Sequence, residues 1–72
     1  MIAAKELAQY GKVEQCEDSG EMFHVKITKG FSMNMRNTFE LLDKIRKSVS
    51  GKYNTIHELK TDKDIFHLIL KR

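Results

Sequence analysis

Two stretches of the chain share one pattern, EMFHVKITK at residues 21–29 and DIFHLILKR at residues 64–72. Phe23 aligns with Phe66, and His24 aligns with His67, at a separation of 43 residues. Apolar residues occupy every second position in both stretches, which is typical of β-strands with one buried face. Two equivalent strands in one short chain indicate a repeated unit.

The same offset continues towards the N-terminus of the chain. It pairs Tyr10 with Tyr53, Val13 with Ile56 and Cys16 with Leu59. We therefore predict one domain, residues 1–72, built from two similar halves at residues 1–29 and 34–72.

Length and composition are those of a small globular domain. The 72 residues are 40% hydrophobic and 32% charged, without an apolar run long enough to span a membrane. Charges interrupt the first residues, so we do not expect a signal peptide. Cys16 is the only cysteine, which fits a reducing cytoplasm. Because so small a core is marginally stable, a homodimer would add useful burial.

Turn and cap residues divide the chain into six elements. We predict a short helix over residues 2–10 that ends at Gly11, and a hairpin whose strands cover residues 12–17 and 22–28. A second helix begins at Ser32 or Asn34 and ends near Gly51. A second hairpin then covers residues 55–61 and 64–71 around an Asp62-Lys63 turn.

This order predicts an α+β two-layer sandwich, with a four-stranded antiparallel sheet and two helices on one face. The order α-β-β-α-β-β is that of a ferredoxin-like fold whose first strand has moved to the end of the chain, a circular permutation. In that arrangement the two Phe-His strands are central neighbours, and the two more charged strands are edges.

Alternation assigns the central strands two faces. The residues expected to face the helices are Phe23, Val25, Ile27, Phe66, Leu68 and Leu70. On the second helix we expect a buried stripe of Met35, Thr38, Leu42, Ile45 and Val49. The opposite face of the sheet has no predicted cover and is unusually apolar.

We predict that this uncovered face is a binding surface. If Thr61 lies opposite Asp64, then Ile56 lies beside Ile69 and Glu58 lies opposite His67. The predicted binding residues are Met22, His24, Lys26, Ile56, Glu58, Ile65, His67 and Ile69.

A metal-binding or catalytic role for the two histidines has little support in the sequence. A zinc site needs three or four ligands, and only Cys16, His57 or Glu58 could add to the pair, so we expect no metal and no cofactor. His24 and His67 resemble the acid and base of an RNA-cleaving enzyme in general outline, but their spacing does not require that role. Ordinary interface histidines are the favoured interpretation, with no catalytic residue.

The formal net charge of +3 permits nucleic-acid binding without requiring it. Basic residues gather towards the end of the second helix and the end of the chain, and these possible nucleic-acid contacts are Lys44, Arg46, Lys47, Lys52, Lys71 and Arg72. Cations in the last turns of a helix also stabilise its negative end.

Two functions of different classes follow. The favoured hypothesis is a non-enzymatic interaction module that binds a protein partner, or a second copy of itself, through the open sheet face. The alternative is an RNA-binding or single-strand-binding module that uses the same face and the basic end of the second helix. An RNase-like enzyme ranks third.

Overall fold

The computed structural model describes residues 4–30 and 33–72. It contains a short helix α1, Ala4–Leu7, that continues as a 3-10 turn, Ala8–Tyr10, and a longer helix α2, Met35–Ser48. The strands are β1, Gly11–Asp18, β2, Met22–Lys29, β3, Thr55–Thr61, and β4, Ile65–Lys71. This is a small α+β domain, and the predicted order of helices and hairpins is confirmed.

The four strands form one antiparallel sheet in the order β1-β2-β4-β3. The two Phe-His strands, β2 and β4, are therefore central neighbours, as predicted. The edge strands β1 and β3 hold most of the sheet's charged residues, which disfavours uncontrolled pairing at the edges.

One face of the sheet carries the hydrophobic core. The six alternating residues predicted for that face, Phe23, Val25, Ile27, Phe66, Leu68 and Leu70, are all at most 1% exposed. Leu7 and Tyr10 from the first helical segment and Leu41 and Ile45 from α2 belong to the same cluster. Each buried aliphatic or aromatic side chain contributes about 1.5–3 kcal/mol, so this cluster is the main source of stability.

Gly11 joins the first helical segment to β1 at a very close backbone approach. Its φ is 153°, and a Cβ at this position would lie 2.1 Å from the carbonyl oxygen of Thr28. Only glycine fits there. The predicted end of the first helix at Gly11 is confirmed, while residues 2 and 3 of that prediction lie outside the described part of the chain.

Helix α2 begins at the predicted cap, Asn34, whose side-chain oxygen accepts a hydrogen bond from the Asn37 backbone N–H at 2.9 Å. The alternative cap, Ser32, lies outside the described residues. The predicted buried stripe is wrong at Met35, which is 76% exposed, and Leu42 is only half-buried.

The centre of the buried face of α2 is Leu41, flanked by Thr38 and Ile45. These three positions follow the i, i+3, i+7 spacing of one helix face. Met35 and Leu42 belong to a neighbouring stripe that lines a groove together with Leu59 of β3, and Leu42 also packs against the core from its edge. The sequence therefore predicted the helix correctly, but the predicted buried face is rotated about the helix axis relative to the observed one.

The second hairpin differs from the predicted register by two residues. Thr61 lies opposite Phe66, not Asp64, and Glu58 lies opposite Ile69, not His67. The Asp62 side chain explains the longer turn, because its Oδ1 accepts hydrogen bonds from the backbone N–H groups of Asp64 and Ile65, both at 2.9 Å. Such local bonds stabilise a wider turn.

Each edge strand contains an irregularity at an equivalent place. The β1 register shifts between Val13 and Gln15, and the β3 register shifts between Ile56 and Glu58. One extra residue in each edge strand, Glu14 or His57, forms a bulge that bends the strand.

Candidate functional site

The open face is the sheet face opposite the core cluster. On the central strands it consists of Met22, His24, Lys26, Thr28, Ile65, His67, Ile69 and Lys71, which alternate with the buried residues. The edge strands add Gln15, Glu17, Glu58 and Lys60, because each of these pairs with a central residue of that face. Seven of the eight residues predicted to bind thus share one surface.

Ile56 is the exception, and its predicted place beside Ile69 is wrong. The bulge at His57 advances β3 by one residue, so Ile56 lies opposite the buried Leu70. Since directly opposed residues in a sheet point to the same side, Ile56 belongs to the core side, where it remains 38% exposed.

Three apolar side chains of the open face, Met22, Ile65 and Ile69, are half-buried. Ile69 lies opposite His24, and Ile65 lies opposite Thr28. Neighbouring side chains cover part of each of these three residues. Because the three residues point away from the core, core packing does not explain why they are apolar.

The two histidines are diagonal neighbours. His24 lies opposite Ile69, and His67 lies opposite Lys26. Diagonal neighbours in an antiparallel pair are about 7–8 Å apart, so the two imidazoles occupy one region without being directly opposed. The predicted proximity on one face is found, and direct opposition is not.

His67 also lies near an acidic side chain. Its Nδ1 is 3.8 Å from Oε2 of Glu58, which is half exposed at 50%. The expected partner is therefore present, although it approaches diagonally from the next pair along the strands. This ion pair exists only when the imidazole is protonated, and its exposure makes it weak.

A line of basic side chains crosses the open face. Lys26 lies opposite His67, and His67 lies opposite Lys60, so three strands contribute one residue each to this basic row. The next pairs along the strands form an adjacent row that contains Glu17 and Glu58. The open face therefore carries charges of both signs around its isoleucines.

The predicted nucleic-acid cations do not form one surface. Lys44 lies over the Tyr10 ring at 5.5 Å, Lys47 contacts Asp43 at 3.2 Å, and Lys52 contacts Asp18 at 3.0 Å. Arg46 lies on α2, whereas Lys71 is the last residue of β4 and Arg72 follows it. Three of the six candidate cations thus contact other side chains of the same chain.

Asp18 joins the first hairpin to the segment after α2. It accepts hydrogen bonds from the Tyr53 hydroxyl, the Gly20 backbone N–H at 2.8 Å and the Lys52 ammonium at 3.0 Å. These donors, the Tyr53 hydroxyl first, lower the pKa of Asp18 to about 2. Sequence reasoning missed this site because Lys52 and Tyr53 lie more than 30 residues from Asp18 in the chain.

The side chain of Cys16 has a packing role. It lies opposite the buried Val25 and packs against the core, and burial raises the pKa of its thiol. It therefore lies on the opposite side of the sheet from His24. Within residues 4–30 and 33–72, no group of three His, Cys, Asp or Glu side chains is arranged to hold a metal ion.

A second apolar surface was not predicted from the sequence. In the described part of the chain, the large apolar residues that are exposed all lie on α2 or β3: Met35 at 76%, Phe39 at 63%, Leu59 at 40% and Ile56 at 38%. Between these elements runs a groove of about 420 Å³, the edge groove. Its apolar lining is Met33, Met35, Phe39, Leu42, Leu59 and Phe66, and its polar lining is Lys29, Asn34, Thr38, Thr61, Asp62 and Lys63. The spacing of Met35, Phe39 and Leu42 was its available signal.

None of the helices described is long and apolar enough to cross a membrane. No protein-family model, curated protein or solved structure matches the chain.

Proposed function

We propose that the chain is a small non-enzymatic interaction module that binds a protein partner through the open face. The observation that carries this proposal is the position of Met22, Ile65 and Ile69 on central strands of an outward sheet surface. Apolar residues gathered on one outward surface are characteristic of interaction sites. The reducing environment expected from the free Cys16 makes the cytoplasm the proposed location.

The proposal includes the finer description of the fold. We propose a ferredoxin-like arrangement in circularly permuted order, with both helices on one face of the sheet. The strand order and the shared core of Leu7, Leu41 and the buried sheet residues support it. We also propose that the halves 1–29 and 34–72 are a repeat, which the equivalent bulges at Glu14 and His57 support.

The chemistry of the open face suits a protein partner. Burying an isoleucine side chain contributes about 1.5–3 kcal/mol, and the surrounding charges supply orientation and selectivity. Glu17 on β1 and Glu58 and Lys60 on β3 form a mixed rim at the two edges of the face, while Lys26 lies on the central strand β2. The proposed partner presents an apolar patch bordered by both charge signs.

Nucleic-acid binding is the second candidate, and the basic row favours it. Lys26, His67 and Lys60 lie in line across three strands, as groups that follow a phosphate backbone would. The apolar Met22, Ile65 and Ile69 on the central strands and the intramolecular partners of Lys44, Lys47 and Lys52 favour the first candidate. An RNase-like enzyme that uses the two histidines remains the third proposal, because His24 and His67 lie diagonally and not directly opposite each other.

The test uses two isoleucines on opposite sides of the sheet. Ile69→Asp puts a carboxylate on the open face, and Ile56→Asp puts the same group on the core side of an exposed edge. We expect proteins captured from cytoplasmic extract by the immobilised wild-type chain, identified by mass spectrometry, to be lost with Ile69→Asp and kept with Ile56→Asp. Circular dichroism checks that both variants fold.

Equal capture by both variants would exclude the open face as the binding surface. The nucleic-acid candidate is tested on the same preparations by fluorescence anisotropy with single-stranded oligonucleotides at two salt concentrations. Binding that weakens with salt, and that the double variant Lys26→Ala/Lys60→Ala loses, would favour nucleic acid over protein.

A further inference from the structure

We propose that a second copy of this chain docks on the β3 edge, with the two β3 strands paired antiparallel about a twofold axis at Leu59. This inference does not depend on the proposed function, because it uses the edge groove and the free strand edge, and of the open face it involves only Glu58 and Lys60 on β3. It also places the dimer expected from chain length on a different surface from the one predicted from the sequence.

The first observation is the exposure of β3. This strand is at the edge of the sheet, and all seven of its residues are exposed. The equivalent residues on the other edge differ: Val13 and Cys16 of β1 pack against the core, while Ile56 and Leu59 of β3 are 38% and 40% exposed. An edge strand that leaves apolar residues exposed can accept another strand.

The second observation is the edge groove beside that strand. Phe39 is 63% exposed and lines the groove together with Leu59 and Leu42. A strand added beside β3 would extend the sheet beneath this groove and would carry its own Leu59 to the same side. Helix α2 of the second copy would then face α2 of the first across Phe39 and Leu59.

The third observation is that β3 is complementary to itself in one register. A twofold axis perpendicular to the sheet requires residues on the same side to oppose each other. Centring the pair on Leu59 places Leu59 against its copy and Glu58 against Lys60 of the second copy, twice. Centring it on Glu58 or on Lys60 would instead oppose like charges.

The surface needed for such a dimer is available on this side of the molecule. A stable interface buries about 800 Å² on each partner, roughly one sixth of the 4774 Å² of accessible surface. The exposed strand β3 and the exposed apolar side of α2 adjoin one another at the edge groove, and together they form the surface that this interface would bury. We therefore infer a dimer with a continuous eight-stranded sheet whose two open faces lie side by side.

Sedimentation equilibrium of the wild-type protein is the first test, and a dimer at sub-millimolar concentration is expected. With Lys60→Glu, Glu58 of each copy would face a second carboxylate at position 60 of the other copy. This repulsion should weaken dimerisation about tenfold or more. Glu58→Lys combined with Lys60→Glu exchanges the charges and should restore the dimer. A wild-type monomer, or charge-exchanged protein no tighter than Lys60→Glu, would overturn the proposal.

Disulfide trapping tests the register directly. In a Cys16→Ser background, Leu59→Cys places two thiols on the axis, within the 4.4–6.8 Å Cα separation that a disulfide accepts. Thr61→Cys on the same side places its two copies about 13 Å apart along the strands. Mild oxidation should therefore crosslink the first variant and leave the second uncrosslinked on a non-reducing gel. Equal crosslinking of both variants, or none of the first, would overturn the register.

Discussion

Val25 of β2 lies directly opposite Leu68 of β4, and both side chains are completely buried. These two residues are also 43 positions apart, the separation that aligns the two halves of the chain. A twofold axis through this pair would exchange β2 with β4. It would also exchange the pair of His24 and Ile69 with that of Lys26 and His67.

The edge strands fit the same axis. Val13 and Gln15 border the bulge of β1, and the residues 43 positions later, Ile56 and Glu58, border the bulge of β3. A bulge requires a specific extra residue, so two bulges at equivalent positions support the proposed repeat more strongly than shared apolar alternation does. The proposed repeat would account for the symmetrical placement of His24 and His67 about the centre of the open face.

Phe66→Ala should destabilise the domain by about 3–5 kcal/mol, because Phe66 is fully buried and the change leaves a cavity in a small core. Urea unfolding followed by circular dichroism measures this loss. Phe39→Ala is the matched control, since Phe39 is 63% exposed, and it should change stability by less than about 0.5 kcal/mol in dilute monomer. Similar losses in both variants would contradict the assignment of the core face.

Asn34→Ala should cost about 1 kcal/mol through loss of the α2 cap. The Asn34 side chain accepts the Asn37 backbone N–H at 2.9 Å, and alanine offers no acceptor. Asn34→Asp keeps the acceptor and adds a charge that favours a helix N-terminus, so it should unfold at the wild-type urea concentration or above. Urea unfolding of the two variants is the measurement. Equal midpoint urea concentrations for Asn34→Ala and Asn34→Asp would exclude a capping role for Asn34.

The strands, the core residues of the two central strands and the candidate cap positions were predictable because each depends on local pattern or local chemistry. Period-two alternation identified β2 and β4 with their buried faces, and the apolar helix pattern after Ser32 and Asn34 gave two candidate caps, of which Asn34 is the observed one. These features involve residues that are close together in the chain.

The β3 register and the rotation of α2 were not predictable in the same way. The register depends on the Asp62 carboxylate, which lengthens the turn, and on the bulge at His57, which moves Ile56 to the other face. The rotation of α2 depends on how Leu41 packs against the sheet, and several apolar stripes on that helix satisfied the same spacing. As a result, the common face of the candidate binding residues was predicted except at Ile56, and the edge groove was missed.

Asp18 should make stability depend on pH in the acidic range. Its pKa is lowered to about 2 in the folded protein, below the ordinary value of 3.8, because it accepts hydrogen bonds from Tyr53, Gly20 and Lys52. A lowered folded-state pKa gives a stabilising contribution that is fully present above about pH 4. That contribution is lost as the pH falls from 4 towards 2 and the carboxylate becomes protonated.

Asp18→Asn isolates this contribution, because the amide has the same shape and no charge. The wild type should be more stable than Asp18→Asn at pH 6, and the difference should shrink towards zero at pH 2, as measured by urea unfolding at each pH. Asp43→Asn is the control, since Asp43 and Lys47 form an exposed pair at 3.2 Å and should contribute little at either pH. A stability difference for Asp18→Asn that stayed constant from pH 6 to pH 2 would show that the carboxylate charge does not stabilise the link between β1 and Tyr53.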